Sequence, residues 1–405
     1  MFSTLITIIV FLVILSVLVL IHEAGHFFVA KLFGIKVEEF GFGFPLTRPI
    51  FSFKKGETQY SFYPALIGGF VKLYGEDEAG AGRVSVQNNS FSMKEEDIQI
   101  SSDSVLEEDI EISEKITISK KNAVEDSSRA FFAKPIWQRA IVIFAGAFMN
   151  FVLAVVIISF LFSVVGAQMP GNKVIVDMVV KGASAAKAGI VVGDTIVSVD
   201  KISVSSTEQL ATYAKKHLGQ KLTLEVSSQK SVVRSLIVTP RKVYPANEGP
   251  MGIAISQNVI TKKYPWYEAP FVGTKEALHE IVLMCQGLVT LVSQLIFHAS
   301  VPAGVTGPVG IAQLTGIFCS NTNSCLSFIS LISLNLAIIN ILPIPALDGG
   351  RLLFIVIEGV FRKKVSAEIE ARAHMIGMIF LLGLIALITL HDLFRILTGQ
   401  PIIPK

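Results

Sequence analysis

The chain has 405 residues, of which 51% are hydrophobic and 17% charged, with a mean hydropathy of +0.60. A soluble domain carries about 25% charged residues, so this composition excludes a wholly soluble protein and indicates a membrane protein with soluble mass attached. The net charge of +3 is uneven: Glu76 to Asp126 holds 14 Asp and Glu against 5 Lys and Arg, a local −9, which leaves +12 elsewhere. The basic residues are scattered, with no stripe interleaved with aromatics, which argues against a nucleic-acid partner. Three cysteines cannot build a disulfide framework.

In chain order, Leu5 to Ile21 is an almost unbroken apolar run that, with its flanks, reaches the roughly 20 residues needed to cross a bilayer. No Lys or Arg precedes Lys31, so the basic start of a cleaved leader is missing and segment 1–35 reads as a retained first span. Segment 36–75 is rich in Phe, Tyr and Gly and predicts short strands at Ile50–Phe53, Tyr60–Tyr63 and Phe70–Tyr74, a membrane-associated β-hairpin or sheet region. Segment 76–130 is an acidic, Ser-rich insertion with the composition of a flexible cytosolic loop, although Ile98 and Ile100, Ile110 and Ile112, and Ile116 and Ile118 alternate like strand residues. A second span is expected at about Ile141–Val165, within 131–168. Segment 169–260 mixes Val-rich strands with two short helical patterns and reads as one soluble α+β domain.

Within 261–322, Lys275, Glu276, His279, Glu280, Gln286, Gln294 and His298 interrupt the apolar residues at near-helical intervals. That pattern predicts an amphipathic helix at the membrane interface rather than a span. A third span, Leu326–Leu347, falls within 323–351, and a fourth, about Met375–Leu390, within 352–405. The expected fold is thus a multi-pass α-helical membrane protein with about four transmembrane helices. Arg351, Arg362, Lys363, Lys364 and Arg372 put the loop between the last two spans in the cytoplasm, which leaves both termini and the α+β domain outside.

His22-Glu23-Ala24-Gly25-His26 stands at the inner end of the first span. Histidines at i and i+4 share a helix face and can offer two nitrogens to one metal, and the adjacent Glu can act as a base on water there. Three ionisable residues in five positions of a membrane helix argue for function. A catalytic zinc takes three protein ligands, so a His, Asp or Glu is needed at the same depth. Asp348, following Asn335 and Asn340 on or near the third span, reaches that depth if the span enters from outside. By spacing alone, Asp348-Gly349-Gly350 serves equally as a turn capping the next helix. Cys319 and Cys325, on the side assigned outside, are close enough for a loop-closing disulfide or are two free small residues. Cys285 is expected to pack within the interfacial helix. The remaining histidines, His374 among them, lack partner spacing and read as structural or surface residues.

HEAGH together with the run Asn340 to Gly350 resembles the site-2 protease family, most closely the bacterial regulator of sigma-E protease group of intramembrane zinc metalloproteases. Gly41-Phe42-Gly43-Phe44-Pro45, Gly68-Gly69-Phe70-Val71-Lys72, Trp137-Gln138-Arg139-Ala140 and Thr306 to Ala312 carry the resemblance across most of the chain. It implies one catalytic Zn2+ bound by His22, His26 and Asp348, with Glu23 as catalytic base. Asn340, and more weakly Asn335, would hold the substrate segment, helped by the strands containing Gly41, Gly43 and Gly69. It also implies that Val179 to Asp200 belongs to a PDZ-like domain; many relatives have two, whereas the space here holds one. The implied substrates are single-span membrane proteins trimmed first by a site-1 protease, such as anti-sigma factors or remnant signal peptides. The implied location is the bacterial inner membrane, with the zinc site near its cytoplasmic side. A catalytically idle membrane scaffold working through its PDZ-like domain is the alternative, and the intact Glu23 argues against it.

Overall fold

The computed structural model describes residues 4–45, 47–76, 127–228, 232–245, 248–298, 306–363 and 365–398. The isoleucine pairs of the acidic insertion lie outside them. The chain divides into two compact units, Phe162–Pro265 and the remainder on either side of it.

The larger unit begins with α1 (Thr4–Leu32), whose apolar side chains Leu5, Ile9, Val13 and Val17 are exposed, as befits a helix surrounded by lipid. Leu18, His22, Gly25, His26 and Ala30 form its buried stripe at three- and four-residue intervals. Strands β1 (Val37–Phe44), β2 (Phe51–Lys55), β3 (Thr58–Phe62) and β4 (Ala65–Leu73) form one sheet in the order β2-β3-β1-β4. β2 and β3 are an antiparallel hairpin, whereas β1 pairs parallel to β3 and antiparallel to β4. Among the described residues β4 is therefore an edge strand, and it packs along α1, with Gly68 facing Val19. At the hairpin turn Glu57 lies between Lys31 and Arg129, accepting from Lys31 Nζ at 2.6 Å and Arg129 Nη2 at 2.8 Å. The Arg129 guanidinium and then the Lys31 ammonium hold the Glu57 carboxyl down at about 2.

α2 (Ile136–Val164) runs antiparallel to α1, since Phe33 just past α1 meets Trp137 at the start of α2, whereas Gly25 meets Ala145 and Met149; at the same crossing Gly146 meets His22 and His26. Missing Cβ atoms at Gly25 and Gly146 let the two backbones approach. A small core of Ala30, Ile35, Val37, Leu73, Phe131, Val142, Ile143 and Ile355 ties the sheet to the helix ends.

The second unit contains β5 (Ala167–Val179), α3 (Ser184–Lys187), β6 (Thr195–Val199), β7 (Ile202–Ser203), α4 (Thr207–Lys216), β8 (Leu222–Ser227), β9 (Val233–Val238) and β10 (Ile253–Lys262). Its sheet runs β10-β5-β6-β8-β9, with β7 paired to β6. Val174, Val176, Ile196, Leu210, Leu222, Leu224 and Val226 fill its core. This α+β unit is slightly longer at both ends than the 169–260 expected from composition.

The larger unit resumes with α5 (Ala269–His298), α6 (Pro308–Phe318), α7 (Thr322–Ile341), α8 (Asp348–Phe361) and α9 (Ala367–Leu397). Among the described residues five helices are long and apolar enough to cross a membrane, not four; the addition is Ala269–Gln294 in α5, with a mean hydropathy of 1.3 against 3.3 for α1. Its polar interruptions lower the average without breaking the helix. Cys285 on it is exposed rather than packed.

Contacts fix the helix directions. Thr7 of α1 meets Gly316 of α6, Ser159 of α2 meets Gly273 of α5, and Asp392 of α9 meets Gly307, all at one end. The chain leaves α2 and enters α7 at that same end, so α5 and α6 together make no net crossing. α7 consequently runs in the direction of α1. It stops at Ile341 rather than Leu347, because Pro343 and Pro345 cannot continue a helix. A disulfide joins Cys319, just past α6, to Cys325 in the first turn of α7.

Candidate metal centre

Two elements supply the cluster where α1 nears its C-terminal end. α1 presents His22 and His26 on its buried stripe, 6% and 7% exposed. α8 presents Asp348 at its first residue, carried there by a tight turn from the end of α7. That turn is so close that a Cβ on Gly349 would lie within 2.5 Å of the Ile341 carbonyl carbon, which explains why glycine follows Asp348. His374 of α9 steadies the turn, its Nδ1 accepting the Ala346 N–H at 2.9 Å.

Asp348 Oδ2 lies 2.8 Å from His22 Nε2 and 3.2 Å from His26 Nε2, and the two Nε2 atoms are 3.2 Å apart. Ligand atoms around a tetrahedral zinc at about 2.0–2.1 Å stand about 3.3 Å from one another, so this triangle has the right size. Its donor set of two imidazoles and one carboxylate suits zinc and leaves a fourth position. Gly146 supplies a second check. A Cβ there would lie 2.7 Å from His22 Nε2 and 2.6 Å from His26 Cε1, so the space in front of the metal-facing nitrogens exists only because residue 146 lacks a side chain.

The far nitrogens of both rings also have neighbours. His26 Nδ1 lies 2.8 Å from the Val142 carbonyl oxygen of α2, which selects a ring protonated on Nδ1 and leaves Nε2 for a metal. His22 Nδ1 lies 3.4 Å from the Asn340 carboxamide of α7.

Glu23, beside this cluster on α1, has the Val71 backbone of β4 as a neighbour. Gly69 of the same strand approaches it too, with a Cβ position 3.7 Å from Glu23 Cγ. The edge strand thus runs past the carboxylate. Gly41 and Gly43 lie one strand further away on β1: Gly41 sits against the Phe70 ring, and Gly43, at φ +88°, occupies a bulge in the β1–β4 register. Asn335 is not brought to the cluster. It is exposed and lines an apolar cavity of about 630 Å³ with Met284, Leu288, Leu291 and Ile311.

Four contributors escape the sequence reading: the Val142 carbonyl, which has no side-chain signature, Gly146, His374 and Asn150. Asn150 is fully buried one helical turn beyond Gly146, and its side-chain atoms find no partner among the described residues. Its backbone oxygen accepts the Ser333 hydroxyl at 2.8 Å, tying α2 to α7. A glycine and an asparagine four apart in an apolar span are the available signal, since polar and small residues in membrane helices mark helix contacts and function.

Residues 10–384 match the sequence model of Peptidase family M50. The zinc metalloprotease RasP of Geobacillus kaustophilus is 30% identical over 97% of this chain and 99% of its own length. The regulator of sigma-W protease RasP of Bacillus subtilis is 30% identical over 96% of this chain and 99% of its own. A zinc metalloprotease RasP of Oceanobacillus iheyensis is 29% identical, with 96% and 99% coverage. With HEAGH and a distant aspartate gathered at one point on apolar helices, this full-length similarity identifies the chain as a zinc-dependent metalloendopeptidase belonging to Peptidase family M50, the site-2 proteases.

Proposed function

We propose that the enzyme cuts peptide bonds inside transmembrane segments of single-span membrane proteins, with His22, His26 and Asp348 as the zinc ligands and Glu23 as the base. The observation that carries this reading is the depth of the cluster: three ligand atoms and a carboxylate gather on helices whose outer faces are apolar. A bond cut there belongs to a segment that is itself in the membrane.

Bound at this cluster, zinc supplies Lewis acidity toward the scissile carbonyl and acidifies water. Glu23 takes a proton from the attacking water and delivers it to the amide nitrogen as the C–N bond breaks, so no proton is gained or lost overall. A substrate helix hides its amides, so its segment must first unwind. The outer edge of β4, which pairs with no strand among the described residues and runs past Glu23, can accept an extended segment as an added strand, replacing the hydrogen bonds lost from the substrate helix. Gly69 keeps that edge clear of side chain beside the carboxylate. Asn340 next to the cluster can pair with the same backbone.

α5 is assigned to the outer membrane interface, a reading supported by the absence of net crossing between α2 and α7 and by its low hydropathy. The Arg- and Lys-containing loop after α8 then lies in the cytoplasm of a bacterial inner membrane, with both termini and the 162–265 unit outside. That unit is read as a single PDZ-like domain that filters substrates by the bulk of their outer portions. The B. subtilis relative's name as a regulator of sigma-W supports anti-sigma factors among the substrates, after trimming by a first protease. The idle-scaffold alternative leaves Glu23 and its contact with β4 without a purpose.

The test is cleavage of a single-span reporter in reconstituted membranes, with bound zinc measured for the native chain and for Glu23→Gln. Cleavage by the native chain, lost in the variant with zinc retained, is expected. A zinc-loaded native chain that cuts neither this reporter nor one with a shortened outer portion would overturn the proposal.

A further inference from the structure

We infer that Asn340 is a positioning residue for the metal ligand His22, in addition to any contact with substrate. The inference rests on the zinc-protease reading above. His22 directs Nε2 at Asp348 and at His26 Nε2, and this leaves Nδ1 as the only ring nitrogen that can be held from outside the cluster. The side-chain group at Nδ1 is the Asn340 carboxamide, 3.4 Å away. His26 provides the comparison within the same site, because its outward Nδ1 faces a backbone carbonyl, an obligate acceptor. A ligating imidazole whose other nitrogen donates to an oxygen is held in one tautomer and one orientation, and it is the better ligand for it.

Asn340 can do for His22 what the Val142 carbonyl does for His26. In the structure Asn340 Nδ2 faces Nδ1, the pairing suited to a ring protonated on Nε2. A ring whose Nε2 lone pair goes to a metal carries its proton on Nδ1 and needs an acceptor there. A half-turn of the carboxamide presents Oδ1 at nearly the same place, since the two ends of the amide have almost the same shape. The half-turn also moves the NH2 group away from His22, which frees two donors for the carbonyls of an unwound substrate. α7 is a fitting carrier: Asn340 occupies the last turn before the proline-bounded stretch that leads to Asp348, so a single short segment positions one ligand from outside and supplies another.

The test separates the acceptor from the donors. Zinc affinity of the purified full chain in detergent is measured by competition with a chelator, for the native protein, Asn340→Ala and Asn340→Asp. Circular dichroism and thermal unfolding check that each is folded. The alanine variant loses both functions and should bind zinc about 10–100-fold more weakly. The aspartate variant keeps an oxygen acceptor but has no N–H, so it should bind zinc within a few-fold of native or more tightly, while reporter cleavage at saturating zinc stays impaired. Native zinc affinity in Asn340→Ala would overturn the inference, as would an aspartate variant that is folded yet as weak as the alanine one. Because affinity is read without substrate, either result stands apart from whether the native enzyme cuts the reporter.

Discussion

Replacing Gly146 with alanine adds one methyl group at the point where α2 passes the metal-facing nitrogens. The new carbon would lie 2.7 Å from His22 Nε2, and ordinary contact begins near 3.4 Å, so that ring must withdraw by 3.4 − 2.7, or 0.7 Å. His26 is crowded more closely still, its Nε2 being the nearest atom to the new carbon, so that ring must withdraw further than His22. Zinc–ligand distances tolerate only about 0.2 Å, so such a displacement forfeits the site. In the rest of the helix the substitution is favourable, since alanine in a helix interior is better than glycine by roughly 0.5–1 kcal/mol. Gly146→Ala should still fold, the helix-propensity gain partly offsetting the roughly 1–3 kcal/mol cost of crowding two buried rings, so that the melting temperature in metal-free buffer falls only modestly. Its zinc affinity should fall at least about 100-fold, beyond what loss of an outer hydrogen-bond partner does. The assay pairs metal analysis after equilibration with a chelator buffer with thermal unfolding in detergent and reporter cleavage. A zinc-replete, fully active Gly146→Ala protein would refute both the closeness of α2 to the two histidines and their assignment as ligands.

Two further outcomes concern charges at opposite ends of the helices. Glu57 titrates at about 2 in the folded protein instead of 4.5. A depressed carboxyl contributes stability that is complete above pH 4.5 and disappears as pH falls toward 2, so Glu57→Gln should flatten the pH dependence of unfolding across that window. At neutral pH the variant should lose about 1 kcal/mol, less at high salt because the cluster is partly exposed; an unchanged acid slope would count against the Lys31–Glu57–Arg129 cluster. At the other end, the fully buried Asp392 accepts from the Gly307 N–H at 2.9 Å and the Gly310 N–H at 2.8 Å, which caps α6, with Arg395 at 3.4 Å. Asp392→Ala leaves that arginine buried beside uncapped amides and should destabilise by about 3–5 kcal/mol, read as the loss in chemical unfolding free energy; a loss under about 1 kcal/mol would mean the cap is replaced by water.

What was legible in the sequence was mostly what has a period or a fixed spacing. His22 and His26 share a face because four residues are close to one helical turn, and unbroken apolar runs mark α1 and α2 without ambiguity. Aromatic and glycine punctuation marked the strands, but not the parallel pairing of β1 with β3, which is decided by long-range contacts. α5 sat at a margin: the same polar residues that suggest an interfacial helix leave it apolar enough to qualify as a span by length and hydropathy. Spacing could offer Asp348 as either a ligand or a turn residue, and the structure gives it both a cluster and a tight turn. Gly146 and the Val142 carbonyl act through a missing atom and a backbone atom, so no residue-type argument points to them alone. His374 has no motif because its partner is a single peptide N–H on a neighbouring turn.

His22 and Asp348 are 326 positions apart in the chain. During synthesis the HEAGH helix is made early, yet the third candidate ligand follows His22 only after 326 further residues. A growing or truncated chain that stops short of α8 carries two histidines and a glutamate but no complete cluster. The separation therefore works as a built-in delay: a metal-dependent hydrolase whose candidate ligands come from α1 and α8 has no complete ligand set until α8 has been made and folded against α1.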